Sequence, residues 1–453
     1  MKKNKIQKII SISLILIFII SIINLNQKSY ANITLHNCKG NITVSNVEHG
    51  TGIFLIQLAK IDFDFSAGQP KEGYNWTKAI QKWIDKNYPI YSDSENFYKN
   101  IESNSVEATK FYDEIISAIK RNDISTPAYD FKEVSGEKTY PIDESNLTGS
   151  LTFSNVDMGT YLITIENGYM VYESSVINVI PTYKDGDWTI EDQNIIAKGS
   201  IPTITKTVTD DTKIKDNYST ADEINYKIKA DIPKYLENSL SNKIYISDKM
   251  DNSLNLKEDT LTVCGITDGN EAESIMGYNI KFDTKRPNSE ENVTFLMDFD
   301  YDIIKKYKSI EITYKAKLSK DSNLNLEKNE NNNLAYIDYS NNQYNEFGLQ
   351  TQKSNQITVY TYGIELKVVD KEENDILLPG SIFEIHDGDG TFLKFIKGED
   401  GIYYLAESRE EGAITKLEVD SNGKLYIKGL DEGIYKITQV KAKERLLYSI
   451  KNI

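Results

Sequence analysis

The chain has 453 residues, with 52 basic against 68 acidic side chains, a net charge of −16, two cysteines and three histidines. That excess of negative charge argues against nucleic acid or an anionic membrane surface as a partner. Two cysteines cannot make a disulfide framework, and His36, His49 and His386 are too few and too scattered for a zinc site or a histidine triad, so we expect no metal and no cofactor.

Lys2, Lys3, Lys5 and Lys8 precede the apolar run Ile9 to Leu25, and Ser29-Tyr30-Ala31 offers small residues for cleavage. This is the pattern of an export signal over residues 1–31, with a retained anchor as the alternative for a run of this length. Cleavage removes five lysines, counting Lys28, and leaves 47 basic against 68 acidic residues, a net charge of −21. No later stretch is long and apolar enough to span a bilayer, so the expected body is secreted, with no membrane contact after signal cleavage.

Residues 32–199 read as a first domain. Short alternating segments such as Leu151-Thr152-Phe153 and Tyr161-Leu162-Ile163-Thr164-Ile165 predict strands. Between the early and late strands lies a helical insertion from Trp76 to Ile124. There Trp76, Ile80, Trp83 and Ile84 fall on one face, and Phe111, Tyr112, Ile115, Ile116 and Ile119 on another. Both stripes are expected to pack on the first domain.

Pro202 follows a Lys-Gly-Ser joint and opens a second domain, 200–359, with strands at Ile224 to Ile228 and Ile310 to Tyr314. A third, 360–453, opens at Tyr360-Thr361-Tyr362-Gly363-Ile364 and includes Lys424-Leu425-Tyr426-Ile427. Gly159-Thr160-Tyr161-Leu162-Ile163-Thr164 and Gly433-Ile434-Tyr435-Lys436-Ile437-Thr438 form a weak repeat, each a turn entering a late strand. Asp387-Gly388-Asp389-Gly390-Thr391 lacks the rest of a calcium loop and reads as a hairpin turn. The fold class is all-β, of sandwich type.

Three polar side chains in the second domain stand among alternating apolar neighbours: Lys206 in Ile201-Pro202-Thr203-Ile204-Thr205-Lys206, Asp248 in Ile246-Ser247-Asp248-Lys249-Met250, and Asn333 in Asn333-Leu334-Ala335-Tyr336-Ile337. Alternation puts each on the inner face of a strand. A lysine has an ordinary pKa near ~10.4, which burial lowers by up to ~3–5 units, supplying a neutral amine; burial also keeps an aspartic acid protonated. A protonated Asp248 could donate to the Asn333 amide oxygen, polarise its carbon for attack by Lys206 and shuttle protons until ammonia leaves. A shift of one residue would put Asn332 in place of Asn333.

These segments resemble the isopeptide-forming second domain of Gram-positive sortase-assembled pilins, and the likeness covers nearly the whole chain after Ala31. Pro202 to Val208 is similar to the family's lysine-bearing first strand, the Asp248 segment to its Asp-Thr-Leu type motif, and Asn333-Leu334-Ala335 to its Asn-Thr-Ala strand. The resemblance implies tandem immunoglobulin-like β-sandwiches, an isopeptide bond between Lys206 and Asn333, and Asp248 as the catalytic acid.

It also implies a lysine that a pilin-class sortase joins to the next subunit. Trp188 followed by Ile195-Ile196-Ala197-Lys198 resembles that segment, one residue longer than usual and without Tyr-Pro, so Lys198 is the candidate and Lys184 the runner-up. The third domain opens like a collagen-binding B-type domain, as in SpaA-type backbone subunits. Yet Val368 stands where its lysine belongs and Gln439 where its E-box glutamate belongs, so no bond is expected there, Lys367 in a shifted register being the exception to test. The chain ends at Ile453 without a Leu-Pro-x-Thr-Gly sorting signal, which reads as a C-terminal truncation with the third domain incomplete.

The reading is thus a structural subunit of a covalently polymerised surface pilus, not an enzyme beyond its own cross-linking, and located on the cell surface or pilus. Its partners would be other pilin subunits. The alternative is a host-binding adhesin or tip pilin acting on a host surface ligand. An exported hydrolase would need a nucleophile and base set that the sequence does not offer.

Overall fold

The computed structural model describes residues 39–442 apart from 65–66, 68, 72, 95–96, 98–105, 126, 128, 137–146, 185–186, 209–212, 236–238, 240, 320–329, 343–347, 371–375 and 408. The expected export signal and its expected cleavage site at Ala31, together with Cys38 and residues 443–453, lie outside the described residues. Among those described, no helix is long and apolar enough to cross a membrane, and no group of side chains is arranged to hold a metal ion. The chain divides into two compact units.

The first unit takes in the described residues up to Pro202, with Pro233–Lys243 and Tyr339–Gln350. One sheet has Lys39–Val47 between Gly149–Asp157, antiparallel, and Gln193–Ile196, parallel. The other is built on the antiparallel pair Gly52–Lys60 and Gly159–Glu166, extended by Ser175–Val179, Asn75–Trp76 and Tyr129–Glu133. Ile42, Val44 and Phe153 meet Ile53, Leu55 and Ile163 between the sheets, each nearly or fully removed from solvent.

All residues of Gly159–Glu166 are buried, because the other face of its sheet is covered too. Two helices, Lys78–Asn87 and Val106–Lys120, set Ile80, Ile84, Phe111, Ile115 and Ile116 against Ile56, Leu58 and Leu162. The predicted apolar stripes are therefore core, as expected. Trp76 reaches that core from a strand paired with Ala59 and not from the helix, which begins only at Lys78.

The second unit contains two pairs of sheets. In the first pair, a five-stranded sheet runs Ile204–Val208, Ile224–Asp231, Ser309–Leu318, Leu254–Ile266, Ala272–Ser274. Its counterpart centres on Glu330–Ser340 and Ile244–Met250, with Asn292–Phe299 and Tyr278–Lys285 beyond one and Ile357–Tyr360 and Lys215–Asn217 beyond the other. Alternate residues point inward: Ile204, Lys206 and Val208; Ile224, Tyr226 and Ile228; Ile310, Ile312 and Tyr314; Ile244, Ile246 and Asp248; Asn333, Ala335 and Ile337.

The second pair consists of a four-stranded sheet, Tyr362–Lys367, Lys424–Leu430, Tyr403–Leu405, Phe395–Lys397, and a three-stranded sheet, Leu417–Glu418, Ile382–His386, Lys436–Lys441. They enclose Ile385, Phe395, Leu417, Leu425 and Ile427. Thr220 joins this pair to the first: its backbone N donates to Gly429 O at 3.0 Å and its Oγ1 to Leu405 O at 2.9 Å. Gly429 has a φ of +81°, and a Cβ there would collide with the Thr220 side chain, so two separate constraints call for glycine. Asp387 to Thr391 is the expected turn, with Asp387 Oδ1 accepting from the N–H groups of Asp389 and Thr391 at 3.0 and 2.8 Å.

Candidate cross-linking site

The three residues singled out by alternation meet inside the first sheet pair of the second unit. Lys206 lies on the edge strand of the five-stranded sheet, and Asp248 and Asn333 lie on neighbouring strands of the facing sheet. All three are completely buried. Lys206 Nζ donates to Asp248 Oδ2 and to Asn333 Oδ1.

Asn333 is thus the amide that faces the lysine. Asn332 points the other way, its side-chain oxygen accepting from Gln356 Nε2 at 2.9 Å and Thr358 Oγ1 at 3.0 Å. Because side chains alternate across a strand, one of the two adjacent asparagines had to face away.

Three residues not singled out from the sequence complete the cluster. The Tyr314 hydroxyl donates to Asp248 Oδ2 at 2.9 Å and accepts from Asn333 Nδ2 at 2.9 Å. Tyr226, directly opposite Tyr314 on the adjacent strand, stacks on it with ring centroids 5.3 Å apart. Lys206 Nζ stands 5.3 Å from the Tyr226 centroid and 5.5 Å from that of Tyr314. Phe295, paired with Asp248 across its sheet, closes the group edge-on to Tyr314. The signal for Tyr314 was its place in Ile310-Glu311-Ile312-Thr313-Tyr314, in phase with the inner face.

Burial decides the protonation. It pushes the Lys206 amine down to about 8 against the pull of the Asp248 charge. It likewise pushes the Asp248 carboxyl up, against the opposing effects of Lys206 and Tyr314. It also holds the Tyr314 hydroxyl well above its ordinary value, so that group keeps its proton. Asp248 Oδ1 is buried with no hydrogen-bond partner among the described residues, an arrangement that suits a neutral acid better than a carboxylate. The Asn333 oxygen accepts from Lys206 and not, as the sequence suggested, from Asp248: the described bonds link the acid to the amide through the lysine and through Tyr314.

The edge strand is fixed from outside as well. Asn355 Oδ1 accepts from Lys206 N at 3.0 Å, and Asn355 Nδ2 donates to Lys206 O at 2.7 Å. One side-chain amide thereby supplies what a neighbouring strand would, at the residue whose side chain matters.

Of the other predicted residues, Lys198 is exposed in the first unit, between Gln193–Ile196 and Gly199–Ser200, with its carbonyl accepting from Glu173 N at 2.8 Å. Lys184 is exposed too, at the end of a hairpin with Asp187–Ile190. In the last sheet pair Lys367 and Gln439 are exposed, while Val368 packs at the edge of the core.

The fold and site define a class: all-β proteins of tandem sandwiches with a lysine, an acid and an amide sharing one core. No family model matches the chain. Its sequence is 29% identical over 241 residues to the trypsin-resistant surface T6 protein of Streptococcus pyogenes serotype M6, covering 49% of this chain and 43% of that protein. The chain thus matches less than half the length of that curated relative. The solved T6 backbone pilin, described as a modular three-domain structure with variable loops and extensions, superposes with a TM-score of 0.59 at 19% identity, over 91% of this chain and 78% of that one. The major pilin SpaD of Corynebacterium diphtheriae overlaps at a TM-score of 0.48 and 18% identity, over 92% and 90%. The chain shares the fold of the T6 backbone pilin, and about half of it is similar in sequence to the T6 surface protein.

Proposed function

We propose that this chain is a structural subunit of a covalently polymerised surface pilus, organised as domains 32–199, 200–359 and 360–453, and that Lys206 and Asn333 become joined by an isopeptide bond with Asp248 as the acid. The observation that carries the reading is a fully buried lysine in contact with both a carboxyl and a carboxamide. A neutral amine has two protons to donate, one to each, and keeps its lone pair for the amide carbon. A structural ion pair is the competing account. It fits less well, because it would leave Asp248 Oδ1 as a buried, unpaired charge-bearing atom among the described residues.

The partners are other subunits, reached through Lys198 by a pilin-class sortase. The adhesin or tip reading has less support, since the apolar stripes of the helical insertion are used up in the core. Intact mass spectrometry of the folded chain tests the bond. The wild type should weigh one ammonia less than its sequence, and Lys206→Ala and Asp248→Ala should each recover the full mass. Full mass in the wild type would defeat the reading. Coupling of a sorting-signal peptide to Lys198, absent in Lys198→Ala, tests the shaft role.

A further inference from the structure

We propose that Tyr314 is a catalytic residue of this cross-linking, relaying the proton that the amide nitrogen needs to leave. The inference rests on the bond between Lys206 and Asn333 proposed above, and goes beyond it by naming the path of the proton.

Joining an amine to a carboxamide moves one proton overall, from the attacking nitrogen to the departing one. The Nζ lone pair forms the new bond to Asn333 Cγ while the carbonyl pair moves onto Oδ1. Nζ then carries one proton too many, and Nδ2 is one short of ammonia. Asp248, held neutral by burial, carries its proton on Oδ2, the oxygen within hydrogen-bond reach of both Lys206 and Tyr314, whereas Oδ1 has no partner among the described residues. Once that proton has passed to Tyr314, Oδ2 takes the surplus proton from Nζ.

Asp248 has no described hydrogen bond to Nδ2, whereas Tyr314 has one at 2.9 Å on each side. The hydroxyl turns from the acid to the departing nitrogen, gives Nδ2 its proton and takes the one that Oδ2 carries. The C–Nδ2 bond breaks with its electron pair on nitrogen, the pair on Oδ1 restores the carbonyl, and ammonia leaves. Asp248 and Tyr314 end as they began, and no outside reactant is needed. Burial holds the hydroxyl protonated, so it serves as a two-way relay and not as a base. It also stands in a water-poor core, flanked by Tyr226 and Phe295, where a solvent substitute has little access.

The test follows linkage in time. The full chain is made by cell-free synthesis, sampled at intervals and scored by intact mass, as wild type, as Tyr314→Phe and with a fluorinated tyrosine of lower hydroxyl pKa at position 314. Phenylalanine keeps the ring packing but loses the relay, and linkage should slow about a hundredfold, the lower end of what acid–base groups contribute. The fluorinated tyrosine should shift the rate and alter its solvent deuterium isotope effect with the fold unchanged. If wild type links and Tyr314→Phe links equally fast, the relay is overturned while the bond stands. If Tyr314→Phe fails to fold, the fluorinated chain decides, an unchanged rate and isotope effect overturning the relay. A wild type that never loses ammonia overturns the bond and the relay together.

Discussion

Removing the bond should cost stability that can be worked out from where it sits. Lys206 and Asn333 are 127 residues apart in sequence, so a bond between them closes nearly the whole second domain into one loop. The loop-entropy relation used for disulfides gives about 5 kcal/mol at 25 °C for a loop of this size. At about 2–4 °C per kcal/mol for a domain of this class, the melting temperature should fall by about 10–20 °C. Lys206→Met is the suitable perturbation. It keeps an aliphatic stem in the core and strands no charge, since burial already pushes Asp248 toward its neutral form. Asp248→Ala, by contrast, leaves the buried amine without its acid and adds a separate cost. Calorimetry on wild type and Lys206→Met, each with its mass determined, measures the difference. Guanidinium unfolding supplies a second reading, since a looped chain exposes less surface on unfolding and should show a smaller m-value. Equal midpoints and equal m-values, with the bond confirmed in one protein and absent from the other, would refute the loop-closure argument.

The pH dependence of linkage should carry the sign of the lysine shift. The Lys206 pKa is lowered from 10.5 to about 8, so below that value its neutral fraction, and with it the initial rate in timed mass measurements, falls about tenfold per pH unit. Raising the pH from about 6 to 8 should speed linkage, and a rate that falls over that range would be inconsistent with a buried amine as nucleophile. Asn355→Ala should free the edge strand at Lys206 and slow linkage several-fold, at a cost of about 1–2 kcal/mol for two part-buried hydrogen bonds; an unchanged rate would show that the other strand contacts suffice. Gly429→Ala should destabilise the last sheet pair by about 1–2 kcal/mol through its backbone alone, with the contact to Thr220 adding to it, as a melting curve can show. The ammonia lost should be one and not two, and Lys367→Ala should leave the mass deficit unchanged, because Lys367 and Gln439 are both exposed.

What the sequence disclosed about the site, and what it withheld, follows from how side chains reach a shared core. Period-two alternation depends only on the strand itself, so Lys206, Asp248 and Asn333 could each be placed on an inner face without knowing the partner strand. The choice between Asn332 and Asn333 needed the register, which pairing with Ile357 and Thr358 supplies. Tyr314 is a different case. Inward tyrosines recur along these strands, Tyr226, Tyr314 and Tyr339 among them, and alternation marks them all as core. Only the opposition of Tyr226 and Tyr314, with Asp248 and Asn333 on the facing sheet, tells which hydroxyl meets the acid and the amide. The helical insertion shows the same division: its apolar stripes were legible from spacing, but that they make Gly159–Glu166 a strand buried on both faces emerged only when they covered Leu162. A single strand can announce a reactive lysine, whereas the group that moves its proton is specified by which strands become neighbours.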